Sequence, residues 1–106
     1  MKKTVTIDGI AVPVVETEIT NANIIKVTAG TTGYRGGDSG HGGRTYFSIQ
    51  DLASTDMRVR VNGGEWKDLM CEGPVEIAFG GDAELDTFIE SLELAVRILK
   101  AQCLTK

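Results

Sequence analysis

Tyr34, Arg35, Asp38, Ser39, His41 and Arg44 stand close together in the chain, and what separates them is almost entirely glycine. From Gly30 to Gly43, seven of fourteen residues are glycine, and the stretch holds the only histidine. Glycine loses more conformational freedom on folding than any other residue, so such a run is used where positive φ or close backbone approach is needed. Successive glycine N–H groups can form an anion nest, and guanidinium groups grip phosphate or carboxylate through paired hydrogen bonds. The expected site is therefore a ligand-binding loop. Arg44 is its main clamp and Arg35 its helper. Gly36, Gly37, Asp38, Ser39 and His41 line the nest, and Tyr34 and Tyr46, or Trp66, offer stacking faces. A second reading stays open: Asp38 pairs with Arg44, His41 fixes the backbone, and the loop simply closes on itself.

Catalysis has less to stand on. Gly37-Asp38-Ser39-Gly40 matches the surroundings of the nucleophile in trypsin-like proteases. Those domains are about twice this length, however, and their histidine precedes the serine, whereas His41 follows Ser39 by two residues. Asp38 and His41 are two ligands where zinc needs three or four, and the spacing of Asp51 and Asp56 adds no support. The glycines fit neither phosphate-loop fingerprint, because no Gly-Lys-Ser/Thr follows and no helix begins there. The reading is a non-enzymatic protein with no metal and no cofactor.

At 106 residues, with 42% hydrophobic and 25% charged content, the chain has the size and make-up of one globular domain, residues 1–106. The net charge of −4 excludes wrapping a nucleic-acid backbone. Four of the five arginines lie between residues 35 and 60, which suits a small anion. No apolar run is long enough to span a membrane. Met1-Lys2-Lys3 leads into alternating sequence rather than a signal core, and Cys71 and Cys103 lack metal spacing or a disulfide framework. The expectation is a cytoplasmic protein with buried or half-buried free thiols.

Alternation supplies the elements that would hold the loop. Asp8-Gly9 marks a tight hairpin over Thr4–Pro13 that pairs Ile7 with Ile10 and Val5 with Val12, and polar Glu16–Asn23 is expected to connect or fray. Ile24–Ala29 and Arg44–Leu52 read as strands flanking the loop, most naturally an antiparallel pair. Met57–Val61 and Glu65–Met70 form a hairpin about Asn62-Gly63-Gly64, and Pro74–Phe79 is a last strand. Asp82 caps a helix over Ala83–Leu104. Its stripe of Leu85, Phe88, Ile89, Leu92, Val96, Leu99 and Cys103 should cover the sheet. Leu94 and Ile98 lie opposite and are assigned to a homo-oligomer interface. The fold class is α+β, an antiparallel sheet of six or seven strands packed by one C-terminal helix.

The glycine-rich strand–loop–strand segment from Thr32 to Phe47 resembles that of small phage-borne proteins of the Thoeris anti-defence 1 group, over about residues 22–61 and in the order of strands then helix. The resemblance implies a non-enzymatic, oligomeric α+β sponge that sequesters cyclic ADP-ribose-type immune signals, and in some members cyclic nucleotides, at subunit interfaces. No ligand-contact residue is carried over from it. The alternative is an interaction protein that inhibits a host protein through its loop or acidic helix face.

Overall fold

In the computed structural model, which describes residues 1–70 and 72–104, seven strands precede one helix. β1 (Lys2–Ile7), β2 (Ile10–Thr20), β3 (Ile24–Thr31), β4 (Arg44–Ala53) and β7 (Val75–Gly80) form one antiparallel sheet in the order β1-β2-β3-β4-β7. β5 (Arg58–Val59) and β6 (Lys67–Asp68) make a separate two-stranded hairpin, and α1 runs Asp82–Leu104. The α+β class stands, but the single sheet of six or seven strands is five strands plus this small hairpin. Alternation over Met57–Val61 produces only a two-residue strand, and Val61 is left exposed. With only the short β6 beside it and nothing burying one face, the period-2 pattern adds no strand to the main sheet.

The first hairpin follows its turn chemistry. Asp8 and Gly9 have φ of 52° and 77°, the left-handed pair that a type I′ turn requires, and the register sets Val5 against Val12 and Ile7 against Ile10. β2 then continues through Glu16–Thr20, where fraying was expected, because its polar residues find cross-strand partners. Glu16 bridges Lys3 at 2.9 Å and Lys26 at 3.6 Å, and Glu18 stands opposite Lys26.

The sheet is curled. Flat, it would hold the β1–β2 turn two to three strand spacings, about 10–14 Å, from β4. Instead Arg44 Nε at the start of β4 reaches Asp8 in that turn at 3.0 Å. Gly30 permits the bend, since a Cβ there would sit 1.9 Å from the Pro13 carbonyl. The concave face gathers Val5, Ile7, Val12, Val14 and Tyr46 into the buried cluster. Tyr46, expected as a stacking face for a ligand, is thus a core residue with its hydroxyl on Glu76 at 2.6 Å. Burial and that carboxylate raise its pKa.

α1 lies on the convex face. Phe88 packs edge-on to Phe47 and tilted against Phe79, with ring centroids 5.6 and 4.5 Å apart, and Leu85 is the buried residue of the helix. The expected apolar stripe covers the sheet only over its first half; Leu92, Val96 and Leu99 are 40%, 49% and 62% exposed. The radius of gyration, 15.4 Å, exceeds the roughly 13 Å of a compact chain this long, consistent with a helix that overhangs its sheet. Cys103, expected to be at least half-buried, is an exposed free thiol on the overhang, and Cys71 lies outside the described residues.

Candidate functional site

β3 and β4 form the centre of the sheet, and the glycine loop joins them. Its roots are fixed by Thr32 N–H donating to the Arg44 carbonyl at 3.0 Å and Arg44 N–H donating to Thr32 Oγ1 at 3.0 Å. Thr31 and Thr45 join hydroxyls across the pair at 2.9 Å. Beyond the roots the backbone turns through positive φ at Gly33, Gly36, Gly37, Ser39, Gly40 and Gly42. Close packing accompanies the turns. A Cβ on Gly42 would meet the Gly37 carbonyl at 2.5 Å, and one on Gly43 would meet the Gly33 carbonyl at 2.1 Å.

The anion nest exists, and the protein's own carboxylate fills it. Asp82 accepts the N–H groups of Arg35 at 3.0 Å, Gly36 at 2.7 Å and Gly43 at 3.1 Å. Glu84 accepts Ser39 N–H at 3.1 Å and the Ser39 hydroxyl at 3.2 Å. Asp38 reaches the other way and takes Ala83 N–H at 2.9 Å. Asp82 was expected to cap its own helix; instead its carboxylate turns back onto the loop, and Asp38 supplies the acceptor for the first turn. Backbone bonds from Gly40 to Gly80, Gly81 to Gly43 and Asp82 to Gly37, at 2.7–2.9 Å, complete the seam. The Arg35 and Gly43 N–H groups hold the Asp82 carboxyl below its ordinary pKa, and the Ser39 N–H does the same for Glu84.

The two arginines separate sharply. Arg44 is 8% exposed, and its guanidinium is spent on the protein: Asp8 at 3.0 Å and the carbonyls of Gly40, Gly42 and Gly43 at 2.9, 3.3 and 3.1 Å. The expected clamp is therefore a strut, and none of its four anchors is Asp38. Arg35, expected to need costly ordering, has its backbone held by Asp82, while its exposed guanidinium has no bonded partner among the described residues. His41 is exposed and contributes its backbone N–H to the Asp38 carbonyl at 3.2 Å. Tyr34 is 64% exposed, and its hydroxyl donates to Asp86, which raises the phenol's pKa. Trp66, expected as an alternative stacking face, sits on the separate small hairpin with Arg60 over its ring at 4.4 Å.

Sequence reasoning missed Asp8, Asp82, Glu84 and Asp86 as the loop's partners. A signal existed in Gly80-Gly81, which let the helix N-terminus approach closely: a Cβ on Gly81 would stand 2.7 Å from Ser39 N. Beside the loop's roots, between α1 and the convex face, a largely apolar groove of about 470 Å³ is lined by Val27, Ala29, Phe47, Phe88, Ile89 and Leu92, with Gly30, Thr31 and Thr45 at its head. Among the described residues no group of three metal-ligating side chains converges, and no helix is long and apolar enough to cross a membrane. No protein-family model, curated protein or solved structure matches the chain.

Proposed function

We propose that this is a non-enzymatic sponge that holds a small nucleotide signal, of the cyclic ADP-ribose or cyclic nucleotide class, between the glycine loop and the adjoining groove. The observation that carries the reading is Arg35: an unpartnered guanidinium on a backbone already fixed by the Asp82 carboxylate. A cation whose backbone is already fixed gives up only side-chain freedom when it meets a phosphate. The groove gives a base an apolar wall that includes Phe47 and Phe88, and Thr31 and Thr45 stand at its loop end. The resemblance over Thr32–Phe47 supplies the ligand class and the anti-defence setting of a phage-borne protein.

Native mass spectrometry after incubation with cyclic ADP-ribose isomers and cyclic nucleotides tests the reading. A retained ligand mass, released intact by heat, supports it; substrate-dependent product would replace the sponge with an enzyme, and loss of that product in Ser39→Ala or His41→Ala would place the chemistry in the loop.

One observation favours a second reading. Asp38, Asp82, Glu84 and Asp86 all lie on the loop–helix seam, and their combined field opposes an anion while suiting a basic protein surface. In that case the loop inhibits a host protein. Binding to a basic protein target that weakens steeply with salt, with no nucleotide retained, would favour it.

A further inference from the structure

Along α1, Leu85, Ile89, Leu92, Val96, Leu99 and Cys103 follow one another at spacings of four, three, four, three and four residues. That is an unbroken heptad seam, with leucine at each d position and β-branched residues at the first two a positions. Its first residue, Leu85, is buried against the sheet, while Ile89 and Leu92 edge the groove and are already 44% and 40% exposed. From Leu92 onward the seam leaves the sheet and stands in solvent. A surface helix needs no heptad order to pack on a sheet. On this helix the order runs on past the sheet, along the exposed part that a second helix can reach.

We infer that the chain forms a two-fold dimer in which the overhanging halves of α1 pair antiparallel through Leu92, Val96, Leu99 and Cys103. Two features choose a second copy in this orientation. In a parallel pair, the second helix would run beside Leu85 and Phe88 on the side already filled by Phe47 and Phe79. An antiparallel pair with its axis between Arg97 and Ile98 avoids this, because the second helix ends at the level where the first enters its own sheet. Leu92 then faces the second copy's Cys103, and Val96 faces its Leu99.

Charge agrees. Glu93 and Lys100 occupy e positions, which flank each other across an antiparallel seam, so two Glu93–Lys100 pairs form by symmetry. In a parallel seam e meets g, and the g residues Phe88, Ala95 and Gln102 carry no charge. The contact thereby moves from the Leu94–Ile98 stripe, about half a turn away, to the seam itself. It stands independently of any ligand.

Sedimentation and light scattering of the full chain should give twice the 11.4 kDa chain mass at about 10 μM. A monomer at that concentration would overturn the inference. Val96→Glu/Leu99→Glu should yield a monomer with an unchanged far-ultraviolet spectrum, whereas Leu94→Glu/Ile98→Glu should leave the dimer intact; the reverse pattern would sink the seam. Glu93→Lys should weaken association at least threefold, and Glu93→Lys/Lys100→Glu should restore it. No response to either would remove the antiparallel register. In a Cys71→Ser background, Leu92→Cys should cross-link to Cys103 of the other copy on mild oxidation. Efficient linkage through Cys103 alone would instead mark a parallel pair and refute the arrangement.

Discussion

Arg44 and Arg35 border the same glycines, and the sequence offers no local reason to treat one as a strut and the other as a free donor. Their difference comes from the curl of the sheet, which brings Asp8 from the first hairpin to Arg44. Arg44→Ala would leave the buried Gly43 carbonyl and the part-buried carbonyls of Gly40 and Gly42 without their donor, so a loss of about 1–3 kcal/mol is expected in urea unfolding of the ligand-free protein. Arg44→Lys should recover less than half, because an ammonium cannot span the fork that joins Asp8 to Gly40 and Gly43. Asp82 gives a test in pH. Its carboxyl is held below its ordinary pKa in the folded protein, so its contribution is present above the unfolded value and is lost as pH falls through the folded one. Wild type should therefore melt above Asp82→Asn at about pH 6, and the gap should shrink steadily as pH falls below the ordinary aspartate range of about 4. A gap that persists in acid would show that something other than the ionised carboxylate holds the loop.

The elements were legible wherever local chemistry decides them. Asp8-Gly9 set the first hairpin and its register, and the apolar alternation of Ile25, Val27, Ala29, Thr45, Phe47 and Ile49 set the central pair and its helix-facing side. What could not be read was what each element leans on. Glu16–Thr20 looks like a loop until Lys3 and Lys26 stand beside it, and Met57–Val61 looks like a strand although no large sheet receives it. The glycine run stands out in the sequence, but its closing partners lie some forty residues away at the helix start. Its glycines differ in kind. At Gly33 the φ is 79° with open space around a Cβ, so Gly33→Ala should cost only about 1–2 kcal/mol. At Gly42 a φ of 76° is joined by backbone at 2.5 Å, so Gly42→Ala should cost distinctly more and expose the loop amides to hydrogen exchange. Equal effects at the two positions would contradict the packed seam between loop and helix.

Over the whole molecule, a curled sheet, a sealed loop and an overhanging helix divide the work. The sheet supplies rigid roots in β3 and β4, the carboxylates at the helix start lock the loop onto them, and the groove lies where loop, sheet and helix meet. The α+β class was visible from the order of strands and helix. The overhang was not, because an apolar stripe looks the same whether a sheet or a second copy covers it. The central claim is that a locked loop offers Arg35, and not Arg44, to a nucleotide phosphate. Calorimetric titration of cyclic ADP-ribose into wild type and Arg35→Ala addresses it most directly. A guanidinium–phosphate contact is worth about 1.5–3 kcal/mol, so Arg35→Ala should bind one to two decades more weakly than wild type while melting at the wild-type temperature. Saturable binding of unchanged affinity in Arg35→Ala would contradict the account.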